Sequence, residues 1–398
     1  MKWVGGGVTA ARGFLASGIS AGIKPSRRPD LALVVSQGPA SCAGVVTANR
    51  VKAAPVQMCL PRLARGYARA VVINSGCANC LTGNAGLNDA RRVGHAVAKA
   101  LKVADRDLLL ASTGLIGTRL PVERIQRAIP RLVSSMRRSN HREAAWAILT
   151  TDRRPKEAAV KVSVGGRTFH VGGMAKGAGM IAPSMATMLG VITTDVAAPP
   201  RLLRGVLREA VEGTFNRISI DGDMSTNDTV LLLANGRSGV RLRAGSTLRV
   251  FAGALLAVAD RLSRLIVADG EGASRVMDVR VMGARTAREA HLCARQVATS
   301  PLVKTMLSGG DANVGRIAAA VGASTARFDP SQLEIHIQRQ RVVAGGQAVT
   351  ISEAAVRTLL RRPEVLVRID LHAGRAQDRM TTCDLTADYV RINAGYAT

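Results

Sequence analysis

The stretch Gly172-Gly173-Met174-Ala175-Lys176-Gly177-Ala178-Gly179-Met180-Ile181-Ala182-Pro183-Ser184-Met185-Ala186-Thr187-Met188-Leu189-Gly190 decides how this chain is read. Its small residues let the backbone turn tightly and approach a ligand closely. One lysine, Lys176, is embedded among glycine and apolar residues, where its charge needs a partner. Thr187 follows Ala186 directly and opens an apolar run, Met188 to Ile192, that reads as a strand. On spacing alone, this is a glycine-rich connection into a buried strand.

Outward from it, apolar runs bounded by Gly or Pro predict strands at Leu31–Val35, Ala70–Ile73 and Thr229–Leu233. Strict alternation marks Leu333, Ile335 and Ile337, and again Val365, Val367, Ile369 and Leu371, as half-buried strands. Helical spacing runs through Leu87, Ala90, Val93, Val97 and Leu101. It recurs from Pro121 through Ile125 and Leu132, and from Pro200 through Val211. Strands and helices mixed in this way give an α/β or α+β protein. Glycine-, serine- and threonine-rich stretches at 74–86, 111–118, 172–188 and 219–229 read as loops, where chemistry tends to be carried.

A chain of 398 residues has room for two or three domains. With 47% hydrophobic residues it is not a disordered chain. Its longest apolar run, Val250 to Ala259, is far short of the ~18–20 residues that span a bilayer. The start, Met1-Lys2-Trp3-Val4-Gly5-Gly6-Gly7, has no apolar core of a signal peptide, so a cytoplasmic location without membrane contact is expected. The net charge of +27 invites a nucleic-acid reading. Against it, arginine outnumbers lysine roughly five to one without clustering, and aromatics are only 3%, too few for base-stacking platforms. No nucleic-acid partner is expected; a basic surface would instead steer anionic substrates.

Several site types are excluded by spacing. Cys77-Ala78-Asn79-Cys80 is a lone CxxC, since Cys42, Cys59, Cys293 and Cys383 are isolated and complete no four-ligand zinc site. The run Asp221-Gly222-Asp223-Met224-Ser225-Thr226-Asn227-Asp228 lacks the sixth-position glycine of a calcium loop and has Leu232 where a bidentate Glu belongs. It is expected to brace an active site instead. No phosphate-binding glycine motif and no HExxH is present. No metal is expected.

The segment KGAGMIAPSMATML closely resembles the self-cleavage region of the ornithine acetyltransferase (glutamate N-acetyltransferase) family of arginine biosynthesis. The resemblance covers nearly the whole chain. It includes Gly7-Val8-Thr9-Ala10, Arg28-Pro29-Asp30-Leu31, Asn49-Arg50-Val51-Lys52 and Ser112-Thr113-Gly114-Leu115-Ile116-Gly117. It continues through Thr150-Thr151-Asp152 with Pro155-Lys156, Phe215-Asn216-Arg217 and Ser225-Thr226-Asn227-Asp228-Thr229. Later come Asp269-Gly270-Glu271-Gly272-Ala273, Ser300-Pro301-Leu302-Val303-Lys304-Thr305, Cys383-Asp384-Leu385-Thr386 and Asp388-Tyr389-Val390-Arg391-Ile392-Asn393-Ala394. The chain departs from the family pattern at Ala11, at Cys77, at Val314 within Gly309–Arg316, and at Thr381 ahead of Cys383.

The resemblance implies a layered α/β helix–sheet sandwich of the self-cleaving ornithine acetyltransferase/aminopeptidase type. A catalytic region of about 1–282 and a smaller C-terminal α/β lobe of about 283–398 are expected. Self-cleavage between Ala186 and Thr187 would give chains 1–186 and 187–398, assembled as two copies of each. Thr187 is the implied nucleophile, and Thr113 and Gly114 the implied oxyanion donors. Thr150, Lys176, Thr187, Glu271, Asn393 and Thr398 are the implied contacts to amino-acid substrates. The acetyl group would pass from N2-acetylornithine to Thr187 and then to glutamate. No resident cofactor is expected; acetyl-CoA is an alternative acetyl donor. A related N-terminal-nucleophile aminopeptidase, in which water takes the acyl group, is the competing reading.

The residue chemistry agrees with the transferase. A threonine hydroxyl is a poor nucleophile without a base. Cleavage before Thr187 frees an α-amino group with a pKa of ~7.7–8.0, a base on the same residue. Lys176 suits a substrate carboxylate, and Glu271 the side-chain ammonium of ornithine.

Overall fold

The computed structural model describes residues 1–182 and 188–395. Its contacts divide the chain into two compact units, one of Met1–Asn216 with Asp223–Ile266, the other of Arg217–Gly222 with the chain from Val267. Each carries its own sheet and helices, the layered α/β architecture expected.

In the first unit, nine strands among the described residues form one sheet. Its order is Lys2–Trp3, Lys156–Val164, Arg167–Lys176, Leu189–Thr194, Thr229–Ala234, Leu31–Val46, Tyr67–Cys77, Leu108–Leu115, with Phe14–Ile19 paired beside Leu31–Val46. Thr229–Ala234 runs parallel to Leu189–Thr194, with Thr229 opposite Leu189. Helices Ala54–Arg65, Gly83–Leu101, Val122–Ser134 and His141–Ala147 drive Cys59, Val93, Val97, Ile125, Leu132 and Ala144 into one core with Leu31, Leu33, Val71, Ile73 and Leu109. The helix Pro200–Gly213 forms because Leu203, Val206, Leu207, Ala210 and Val211 recur at helical spacing and are buried, while Arg201, Arg204 and Arg208 stay exposed. Ser246–Ala268 packs Phe251 against Phe169, with ring centroids 6.1 Å apart.

Two expectations are corrected here. Leu31–Val35 is only the first part of a strand that continues to Val46 through an irregularity between Val35 and Ala40. Residues 172–176 are strand rather than loop, as are 74–77 and 111–115 of the other stretches read as loops; 172–176 belong to the hairpin of Lys156–Val164 with Arg167–Lys176 and pair with Leu189–Thr194. Glycine stands at 172 because a Cβ there would lie 2.1 Å from the Gly7 carbonyl oxygen.

In the second unit, Val276–Ala284 lies between Glu364–Asp370 and Ala376–Cys383 in a seven-stranded sheet among the described residues. Helices Ala287–Thr299, Pro301–Gly309, Gly315–Gly322 and Glu353–Leu360 bury Cys293, Met306, Ile317 and Val356 against Val279, Ile335, Val367 and Ile369. Hydroxyls of Thr286, Ser300 and Ser352 accept the backbone N–H three residues on, as helix starts require. The boundary expected near 282 falls inside Val276–Ala284, so the compact units part earlier, after Ile266. That strand pairs on both sides within the second unit and cannot be divided.

Candidate active site

Four expected site residues come together in the first unit. Thr113 and Gly114 lie near the end of Leu108–Leu115, beside the parallel strand Tyr67–Cys77. The pairing slips at Gly76 and Cys77, opposite Gly114. Gly114 has φ +128°, and a Cβ there would stand 2.3 Å from the carbonyl carbon of Gly76. Only glycine fits this turn of the backbone, and ladder slips of this kind re-aim groups beside active sites.

Thr150 follows helix His141–Ala147, and Lys176 ends strand Arg167–Lys176. Lys176 Nζ donates to Thr150 Oγ1 at 2.8 Å and to Thr113 Oγ1 at 3.4 Å. An ammonium group only donates, so each threonine keeps its own hydroxyl proton to give elsewhere. Lys176 and Thr113 are buried, at 2% and 3% exposed, while Thr150 is half-buried.

The partner that an embedded lysine demands is Asp152, which sits in the motif Thr150-Thr151-Asp152 but to which the resemblance gave no role. Asp152 Oδ1 accepts from Lys156 Nζ at 2.6 Å and from the Gly177 N–H at 2.7 Å. Its Oδ2 accepts the Thr150 N–H at 3.1 Å and lies 3.7 Å from Lys176 Nζ. Burial alone would raise this carboxyl's pKa; the two ammonium groups and the N–H bond outweigh it and hold it well below the usual carboxylate range. Asp152 thus sits between two ammonium groups, those of Lys156 and Lys176. Lys24 adds to this field. Burial pushes its pKa down to about 8; Asp30 opposes that fall, and Lys176 deepens it.

The polar loop after Asp221 braces the site, as its composition predicted. Asn227 Nδ2 donates to the carbonyls of Ala78 and Ser112, both at 2.8 Å, and its Oδ1 accepts from Thr226 Oγ1 at 2.7 Å. This fully used amide pins the residue before Thr113. Cys77 is buried there, its Sγ 3.4 Å from the Thr118 carbonyl. Ala186, Thr187 and Thr398 lie outside the described residues.

In the second unit, Asn393 Nδ2 donates to Glu271 Oε2 at 2.8 Å and to the Tyr389 carbonyl at 3.0 Å. Gly272, at φ +68°, lets this loop pass the start of helix Ala387–Ala394, since a Cβ would be 2.5 Å from Tyr389 N. Downstream of Glu271 the loop is anchored by Asp384, whose carboxylate accepts the N–H groups of Ser274 at 2.8 Å and Arg275 at 3.0 Å. Buried Lys304 donates to Thr382 Oγ1 at 3.0 Å and to the Cys383 carbonyl, fixing the strand end that carries Asp384. Of the departures, Thr381 donates to Asp278 Oδ1 at 2.6 Å and Val314 packs on the second core. Among the described residues, no three His, Cys, Asp or Glu side chains are grouped to hold a metal ion.

A family model for ArgJ proteins matches residues 15–398. The chain belongs to the ArgJ family. It is 46% identical over 402 residues to the arginine biosynthesis bifunctional protein ArgJ of Symbiobacterium thermophilum, covering 100% of each chain. To the ArgJ protein of Geobacter sulfurreducens it is 45% identical over 390 residues, covering 97% of this chain and 99% of the relative. A crystal structure of the Bacillus halodurans ArgJ protein matches with a TM-score of 0.50 and 37% identity, covering 51% of this chain and 97% of that one. ArgJ membership places the chain with enzymes of arginine biosynthesis and favours the transferase reading over the aminopeptidase one. Among the described residues no helix is long and apolar enough to cross a membrane.

Proposed function

We propose that this chain cuts itself between Ala186 and Thr187 and then moves the acetyl group of N2-acetylornithine to glutamate through an acetyl ester on Thr187. In the precursor, the Thr187 hydroxyl attacks the Ala186 carbonyl carbon and the peptide C–N bond breaks. Water hydrolyses the resulting ester, leaving the Ala186 carboxylate and a free Thr187 α-amino group. That amine then takes the hydroxyl proton while Thr187 Oγ attacks the acetyl carbonyl, and ornithine leaves with a proton on its nitrogen. The amine of glutamate attacks the acetyl ester, and N-acetylglutamate departs.

Thr113 and Gly114 supply donors to the oxyanion of both reactions, each donor of this kind being worth ~10²–10³ in rate. Lys176, held between Thr150 and Asp152, pairs the substrate carboxylate. Glu271 pairs the ornithine ammonium, and Asn393 and Thr398 offer further polar contacts. Two copies of each cleaved chain assemble in the cytoplasm. No resident cofactor takes part, and acetyl-CoA serves as a second donor.

The observation that carries this reading is the hydrogen-bonded junction of Thr113, Thr150 and Lys176, whose lysine ends the strand that leads towards the segment containing Thr187. Purified protein given N-acetylornithine and glutamate tests it. N-acetylglutamate supports the transferase; acetate and ornithine alone would support the hydrolase and overturn it.

A further inference from the structure

Asp228 sits where strand Thr229–Ala234 begins, beside the start of its parallel neighbour Leu189–Thr194. It is 0% exposed. Its Oδ1 accepts the Met188 N–H at 2.7 Å, and its Oδ2 is buried with no hydrogen-bond partner among the described residues. Its backbone carbonyl accepts from the Thr47 N–H at 2.9 Å, so the residue is held on both sides. Among the described residues no ion pair reaches the carboxyl. A buried carboxylate with one N–H donor and no counter-ion is far costlier than the neutral acid.

Met188 follows Thr187 in the chain, so the peptide nitrogen that Asp228 holds is the one bonded to the Thr187 carbonyl carbon. We infer that Asp228 is a neutral positioning residue for the nucleophile: it fixes the Thr187–Met188 peptide and offers a carboxyl O–H donor there. The inference rests on the proposed role of Thr187.

The protonation state is what matters chemically. An ionised carboxylate beside the freed α-amino group would hold it as ammonium, unable to take the hydroxyl proton. A neutral acid orients without that penalty. Burial raises the carboxyl's pKa well above the usual carboxylate value; the Met188 N–H and the more distant Lys176 act against burial without cancelling it. Among the described residues Lys176 is the charged group that acts on it; Leu189 and Val46, from the adjoining strands, carry no charge.

Asp228→Asn and Asp228→Ala separate this role from simple strand packing. The amide keeps the acceptor for Met188 and a donor on the other arm, and is neutral at every pH. Self-cleavage and acetyl transfer are expected at least ~10-fold faster in Asp228→Asn than in Asp228→Ala. The pH profile of transfer in the native chain should fall on the alkaline side as Asp228 ionises, and that fall should be absent in Asp228→Asn. Equal impairment in both variants, or superimposable pH profiles for the native and Asn proteins, would overturn the inference.

A second readout needs no chemistry at Thr187. In the Thr187→Ala background, a carboxyl whose folded pKa is raised loses its stabilising contribution as pH climbs from about 4 towards that folded value. The melting temperature of the Asp228→Asn double variant should therefore gain on its parent over that range; parallel curves would contradict a neutral Asp228. A native chain that neither cleaves nor transfers would instead refute the proposed function, and the melting comparison would still decide the state of Asp228.

Discussion

Asp152→Asn removes one charge from the most buried ionic cluster in the first unit while keeping its shape. In the native chain Asp152 lies 2.6 Å from Lys156 Nζ and 3.7 Å from Lys176 Nζ, with all three side chains at most 3% exposed. At an effective dielectric of about 20, these distances correspond to gross attractions of about 6 and about 4 kcal/mol. Desolvation offsets most of that sum, so the loss expected is of the order of the ~3–5 kcal/mol found when one partner of a buried pair is removed. Denaturant unfolding of the Thr187→Ala precursor, with and without Asp152→Asn, measures it as a two-variant difference. The pH dependence gives the sign independently. Asp152 has a depressed pKa, so its contribution is present above the unfolded value of about 3.9 and is lost as pH falls towards the folded one. The stability gap between the two proteins should therefore be widest near neutrality and narrow in acid. Lys176 is also freed to shift off Thr150, so any mature enzyme that forms should show a raised KM for its amino-acid substrates. A gap below about 1 kcal/mol with an unchanged KM would refute the view that Asp152 holds this cluster together.

Thr113→Ala removes the hydroxyl that accepts from Lys176 and should slow both self-cleavage and acetyl transfer by ~10²–10³, read from a gel time course beside a steady-state assay. Normal processing with crippled transfer would mean that the two steps use different oxyanion donors. Glu271→Gln should weaken use of N-acetylornithine by ~1.5–3 kcal/mol, through loss of a charged hydrogen bond, and leave self-cleavage intact; full donor affinity in that variant would remove Glu271 from the site. Gly114→Ala should block processing altogether, because its Cβ meets the Gly76 backbone at 2.3 Å and its φ is +128°; an active, cleaved Gly114→Ala protein would show that this turn is not needed.

Much of the fold was legible because burial follows periodicity. The helix of Leu87, Ala90, Val93 and Val97 and the alternating strands around Ile335 and Val367 formed where their apolar spacing placed them. What misled were glycine and proline. Gly38 and Pro39 hid the continuation of Leu31–Val46, which an irregularity accommodates, and Gly172 and Gly173 looked like loop although the approach of Gly7 requires a small residue in that strand. The site was legible in its hydroxyls and its lysine. Its acids were not, since Asp152, Asp228 and the amide of Asn227 lie in polar stretches whose burial only the folded chain reveals. One signal did exist: Lys176, a lone charge among apolar residues, required an acid, and Asp152 stands four residues before Lys156 in the motif Thr150-Thr151-Asp152.

The central claim is that Thr187 becomes the amino-terminal residue of a second chain and carries the acetyl group. Intact-mass analysis of the purified native protein and of Thr187→Ala, each incubated with N-acetylornithine alone, tests both halves at once. Two chains are expected, 1–186 and 187–398, with the second gaining one acetyl group of about 42 Da on Thr187, as a covalent acyl intermediate requires. A single unacetylated chain is expected for Thr187→Ala. An active native enzyme that remains one intact chain, or that acquires its acetyl group elsewhere than Thr187, would contradict it.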